Sequence, residues 1–265
     1  MIKLSVYFAY FRITIKQNTI FRTDYLLGIL NNIIQIFISI TIWKFLYESR
    51  NTINGIAFSI VITNFIISLG LSNIFSINDF IIQNKINDGS LVNELLKPID
   101  FKKILLVQTI SKITFKFLSN FLPTFLITSL IFKILPPASI INFIIYIVSI
   151  MLGFLILWNI SLIIQLTAFW IVNVWSISTI KNVLIKIFTG ATIPLYFMPT
   201  PIIKLIQFTP FDTIYYIPFQ IYLGSITFTE ILFSIMKQII WLSILHLITI
   251  FMWKKGCKKI IIQGG

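Results

Sequence analysis

Charge is what this chain has least of. Of its 265 residues only 11% are charged and 57% are hydrophobic, whereas a soluble domain carries about 25% charged residues. So little charge cannot cover a surface in water, and the apolar excess must face lipid. The single cysteine, Cys257, excludes an internal disulfide and a cysteine-based metal cluster. A lone histidine, His246, removes most metal and general-base chemistry. The eight acids are Asp24, Glu48, Asp79, Asp88, Glu94, Asp100, Asp212 and Glu230. Nearly all fall in loops or at the ends of apolar runs, and none are spaced as paired carboxylates within a span. Also missing are a GxxxxGK[ST] phosphate loop, HExxH and GxSxG. Nothing here reads as an enzyme, and no cofactor or metal is expected on this chain. The N-terminus does not read as a cleavable signal peptide, because Arg12, Lys16 and Arg22 interrupt it.

What is present is a series of long apolar runs with basic residues beside them. The net charge of +13 would raise nucleic acid as a partner for a soluble protein. Here the positions of the cations indicate topology instead. Spans are expected at Tyr25–Trp43, Gly55–Phe75, Ile110–Phe132, Ile140–Leu166, within Phe169–Phe197, and at Ile231–Trp253. Each approximates the length needed to cross about 30 Å of hydrocarbon. The N-terminal arm holds Lys3, Arg12, Lys16 and Arg22; the long polar loop 76–103 holds Lys85, Lys97, Lys102 and Lys103; the tail holds Lys254, Lys255, Lys258 and Lys259. Against these twelve, the opposite side holds Arg50, Lys133 and Lys204, with Lys44 and Lys237 placed to snorkel there. The positive-inside rule then puts both termini and the long loop in the cytoplasm. Residues 1–22 have two compatible readings. One is an interfacial helix with Leu4, Phe8, Phe11 and Ile15 on one face; the other is a basic flank that positions the first span.

Two segments carry more than composition. In the cytoplasmic loop, Asp88-Gly89-Ser90 is a turn signal. Ser90 can cap a short helix whose Leu91, Leu95 and Leu96 share a face, and Pro98 stops it. Such a helix suits docking to a partner or packing on the protein's own span ends. The second segment, 191–224, follows Gly190 and contains Pro194, Pro199, Pro201, Pro210-Phe211, Pro218 and Gly224. Prolines at this density preclude one continuous helix. Short helices dipping into the outer leaflet are expected, with their irregular backbone shielded by protein or lining a cavity.

Taken in order, Gly89-Ser90-Leu91, Leu95-Leu96-Lys97-Pro98-Ile99, Ala168-Phe169-Trp170, Gly190, Ile193-Pro194-Leu195, Pro199, Pro210-Phe211, Pro218 and Gly224 resemble the membrane subunit of ABC-2 type transporters. The resemblance covers nearly the whole chain. It implies a single all-α transmembrane domain over 1–265, with about six transmembrane helices. It implies a cytoplasmic coupling helix after the second span, and re-entrant helices before the sixth that cap the outer end of the path. It also implies a dimer with itself or a related permease, and a separate cytoplasmic ATPase that binds the ATP. The surrounding lipid is that of the plasma membrane. Such permeases mostly export lipids, drugs, peptides or glycans.

Lys181 and Lys186 stand out if the fifth span runs from Phe169 to Gly190, because a central lysine costs roughly 2.5–3.5 kcal/mol. With Ser178 and Asn182 they mark a face that lines the transport path or dimer seam. The other reading is a later-starting span, with Trp170–Lys181 along the cytoplasmic interface and both lysines snorkelling. His246, in the last span, reads as a relay group or as a neutral imidazole bonded to a neighbouring helix. A stand-alone secondary transporter would need internal repeats and embedded acids for ion coupling, and a membrane assembly factor has no diagnostic motif here.

Overall fold

The computed structural model describes residues 4–20, 22–48, 50 and 52–263. Lys3 lies outside these, as do the side chains of Leu4, Arg22 and Asp24. Apart from one two-residue hairpin, the regular structure among the described residues is helical. The chain forms two compact units, Met1–Ser76 with Val92–Leu135, and Ile77–Leu91 with Pro136–Gly265.

In the first unit, α1 (Leu4–Ile20) packs against the first half of α6 (Phe101–Ile131), where the Ser111 hydroxyl donates to the Phe11 carbonyl at 2.8 Å. The residues expected to share a face of α1 differ in burial. Thr14 is buried against the protein, Phe11 and Ile15 are half-buried, and Phe8 points outward at 67% exposure. Helix α2 (Arg22–Tyr47) leads into a hairpin pairing Thr52 with Ala57 and Ile53 with Ile56. Its turn is Asn54-Gly55, with φ values of 51° and 77°, the left-handed pair that a tight hairpin needs. The second apolar helix, α3, therefore begins at Phe58 and ends at Ile74, later than the expected Gly55. The third begins earlier than expected, at Phe101, because the Asp100 carboxylate caps it through the N–H groups of Lys102 and Lys103. Lys112 and Lys116 consequently lie inside this helix, and Lys116 donates to the Ser76 hydroxyl at 2.6 Å.

Both α3 and α6 contain one π-helical turn, at Phe65–Leu69 and Phe117–Phe121. In α6 the cause is Pro123, which lacks the N–H to reach back and crowds the preceding turn. The wider turn accommodates it. The two helices meet close by: a Cβ on Gly70 would lie 2.9 Å from the Phe121 ring. Asn73 joins α3 to α2 by donating to Asn32 and Gln35, both at 3.0 Å.

The second unit is built on α7 (Ile140–Phe169), whose final turn tightens to 3-10 geometry over Thr167–Phe169. Ser139 caps its start by accepting the Asn142 N–H. The short loop helix α4 (Ile81–Asn87) packs on α7 and its last turn. Of the loop's second helix, α5 (Ser90–Leu95), only Ser90 and Leu91 belong to this unit, which continues with α8 (Trp175–Phe188), α9 (Thr200–Gln207), α10 (Tyr216–Leu223) and α11 (Phe228–Gln263). Helices α10 and α11 both pack on α7, around a core that includes Ile156, Leu162, Leu166, Ile214, Phe219 and Ile221. At the end of α7 the Phe169 ring lies directly on Gly256 of α11 and meets Trp253 edge to face at 6.1 Å.

Among the described residues, four helical stretches are long and apolar enough to cross a bilayer: Tyr25–Tyr47, Phe101–Ile131, Ile140–Phe169 and Phe228–Lys259. They leave large apolar side chains outward, among them Leu27, Phe45, Leu130, Ile140, Phe233 and Leu247. This is the surface of a protein dissolved in lipid. The expected second and fifth spans are shorter. Helix α3 has 17 residues and α8 only 14, or about 25 and 21 Å. The fifth helix starts at Trp175, not Phe169, because Trp170–Val174 is not helical.

Candidate functional site

Three places bring together the residues singled out in the sequence. The first is the loop after α3. Gly89 adopts φ 71°, and the Asp88 carboxylate accepts the Ser90 N–H at 2.8 Å. Hydrogen bonds from the Ser90 side chain and backbone hold the Asp88 carboxyl below the usual carboxylate range. Ser90 is thus the first helical residue, and Asp88 supplies the capping acceptor expected of Ser90. The face expected from Leu91, Leu95 and Leu96 is also split. Leu91 is 2% exposed, Leu95 is half-buried, and Leu96 stands out at 78%. Five residues place Leu91 and Leu96 about 140° apart around a helix. Val92, 48% exposed, is the neighbour that Leu96 shares. Beside them Glu94 and Lys97 pair at 2.9 Å, ahead of Pro98.

The second place joins the start of that loop to α7 and α8. Asp79 is 2% exposed. One of its oxygens, Oδ2, accepts from Lys181 Nζ at 2.5 Å and from the Ser178 hydroxyl at 2.6 Å. Lys181 also donates to the Ser161 hydroxyl at 3.0 Å. One turn on from Asp79, Gln83 accepts the Val174 N–H at the head of α8, at 2.8 Å. The four residues expected on one face therefore separate. Ser178 and Lys181 are buried together, whereas Asn182 and Lys186 are exposed. The later start of α8 agrees with the second reading of this span, but Lys181 does not snorkel. It pairs with an acid 102 positions away, which no local spacing could reveal.

The third place is the proline-rich segment. Gly190 (φ 81°) ends the approach from α8, and a single 3-10 turn, Leu195–Phe197, follows Pro194. Helix α9 takes Pro199 and Pro201 at its start, where a missing N–H costs nothing. After Pro210 comes a 3-10 turn, Phe211–Thr213; then α10, with Pro218 in its first turn, ends on Gly224 at φ 65°. The segment thus forms short helices, and carbonyls in and beside it find donors. Gln238, fully buried, donates to the carbonyls of Ser149 and Thr213 at 3.0 and 2.8 Å. It also accepts the Ser149 hydroxyl at 3.1 Å. Asn142 and the Ala138 N–H serve the carbonyls of Ile221 and Tyr222. Lys237 bonds both oxygens of Asp212 at 2.6 and 2.7 Å, so it turns to this segment and does not snorkel. Asp212, Lys237 and Gln238 were not singled out from the sequence; the available signal was one acid in an apolar segment and one lysine in an apolar span. His246 is exposed on α11, which removes the reading of an imidazole packed against a neighbouring helix within the chain.

The fold and these three places define a class: an all-α, multi-pass membrane protein with a structured polar loop and an irregular helical segment before the final span. Residues 33–264 match the profile described as ABC-2 family transporter protein, and the chain belongs to that family. It is a permease subunit of an ABC transporter. Permeases of this family are generally non-catalytic membrane subunits that work with a cytoplasmic ATPase. No curated protein matches the chain significantly.

Proposed function

We propose that this permease pairs with a second permease, identical or related, to form the transmembrane path of an ATP-driven exporter in the plasma membrane. The chain crosses six times with both termini in the cytoplasm, as the twelve-to-five distribution of cations supports. Helix α8 reaches about 21 Å, and the segment after Gly190 fills the remaining outer leaflet as a re-entrant cap. The ATPase docks on the loop around α5. The observation that carries this reading is the outward pair Val92 and Leu96, the latter 78% exposed. Two apolar side chains presented from a charged loop are covered when a partner's groove receives them. The embedded acids Asp79 and Asp212 are each paired with a lysine, which leaves neither free for the ion coupling of a secondary transporter.

The test is recovery of an ATPase with the tagged permease in mild detergent. The wild-type chain is expected to retain it, and a V92D/L96D variant to lose it while still inserting in the membrane. Absence of any ATPase with the wild-type chain would sink this reading.

A further inference from the structure

We propose that Asp79, Gln83, Ser178 and Lys181 form a latch that fixes the ATPase-facing loop to the cytoplasmic half of α8, so that displacement of the loop moves α8. These are positioning residues, and the inference rests on the reading of α5 as the docking helix. Three bonds make the latch: Lys181 and Ser178 to one oxygen of Asp79, and the Val174 N–H to Gln83. All three reach α8 or its N-terminal cap within Val174–Lys181, and the loop partners lie one turn apart. Covalent continuity then leads from Gln83 through α4 and the Asp88-Gly89 turn directly into α5.

Helix α8 is suited to move as one piece. Before it lies the non-helical stretch Trp170–Val174 and after it Gly190 in a left-handed conformation. Its two sides differ. Ser178 and Lys181 are buried on the latch side, whereas Thr179, Asn182 and Lys186 are exposed. A shift of the loop therefore changes what α8 presents on its exposed side, where Thr179, Asn182 and Lys186 lie among Trp175, Ile180 and Val183. The latch is not closed as a static brace would be. Both donors converge on Oδ2, and Asp79 Oδ1 finds no hydrogen-bond partner among the described residues. A buried network with an unfilled acceptor is a poor stabiliser. It does hold the loop in place, because neither Lys181 nor Asp79 can leave its partner without exposing a bare charge in a buried setting.

Two measurements test this. Amide exchange on the permease alone, without ATPase, is expected to rise about tenfold over residues 77–87 and 174–181 in Asp79→Asn, with α11 unchanged. The charge swap D79K/K181D is expected to recover protection. Unchanged exchange in Asp79→Asn would overturn the latch whatever the ATPase does. For transmission, a Lys186→Cys probe in a Cys257→Ser background is labelled with a maleimide, with the complex free or trapped by ATP and vanadate. Trapping is expected to change the labelling rate with Asp79 intact. In Asp79→Asn that change should vanish although the ATPase still co-purifies and hydrolyses ATP, and the swap should restore it. If Asp79→Asn only lowers the yield and keeps the trapping response, the role is structural and the proposal fails. Loss of the ATPase from the wild-type chain would instead count against the docking reading.

Discussion

Gly153→Ala should lower stability and Gly28→Ala should leave it nearly unchanged, although the two glycines look alike in the sequence. Both lie within long apolar helices. A Cβ at Gly153 would sit 2.6 Å from the Ile214 carbonyl oxygen and 3.2 Å from that of Thr213. Ordinary contact begins near 3.4 Å, so the backbone must retreat by about 0.8 Å. Overpacking of this kind costs about 1–3 kcal/mol. The Thr213 carbonyl is also the acceptor of Gln238, and weakening that bond adds up to about 1 kcal/mol. Against this, replacing glycine in a helix returns about 0.5–1 kcal/mol. The net is a loss of about 1.5 kcal/mol, or roughly 3–6 °C in melting temperature. At Gly28 the nearest atom is equally close, Asn120 Nδ2 at 2.5 Å, but it is the end of a side chain. Asn120 can rotate for about 0.5–1.5 kcal/mol, which the helical gain largely offsets, leaving a change within about 0.5 kcal/mol of zero. Tryptophan fluorescence during thermal denaturation in detergent reads both. A Gly153→Ala variant that melts at or above wild type would refute the reasoning, as would a Gly28→Ala variant that falls as far.

Asp88 gives a pH prediction. Its carboxyl is held below the ordinary value of 3.8, so the turn's stabilisation is complete above that value and disappears as pH falls through the lower folded one. Ser90→Ala should bring the carboxyl back toward 3.8 and raise the pH at which the Ser90 and Leu91 amides lose protection, read by hydrogen exchange. At the proline-rich segment, Asp212→Asn or Lys237→Met alone leaves a charge without its partner. With Lys237 a quarter exposed, the loss is about 1–3 kcal/mol rather than the roughly 3–5 of a fully buried pair. The double variant should recover most of the melting temperature. Failure of the double variant to exceed either single one would refute the pairing.

Much of the fold was legible because it follows from local chemistry. The run Ile140–Leu166 carries no charge and has Ser139 to start it, and it forms as expected. Asp88-Gly89 and the prolines between 194 and 218 act at their own positions and needed no tertiary knowledge. Boundaries failed where a neighbour decided them. Asn54-Gly55 closes a hairpin only because Thr52 and Ile53 find Ile56 and Ala57, and Asp100 starts α6 well before its hydropathy rises. The electrostatic partners were the least legible. Charge counting assigned Lys237 to an interface and treated Asp79 as a loop acid. Each chose a partner brought near by α7, α8 and α11, and such pairings are properties of packing, not of spacing. The π turn before Pro123 was readable in principle, since a proline inside an apolar helix demands a local widening.

The Phe169 ring resting on Gly256 has a mechanical consequence. Helix α11 runs unbroken for 36 residues, about 54 Å, nearly twice the hydrocarbon thickness. Its buried positions Ile231, Gln238, Leu245, Thr249 and Gly256 follow one another along the rod, and the Phe169 contact is the last of them toward the tail. Lys237, which grips Asp212 in the proline-rich segment, lies about 28 Å along the rod from Gly256. A tilt of about 5° about Gly256 would carry Lys237 by about 2.5 Å, close to the length of one hydrogen bond. A side chain larger than glycine at 256 would have to displace the Phe169 ring or tilt the helix, and a tilt would be felt most at the far end, where Lys237 holds Asp212.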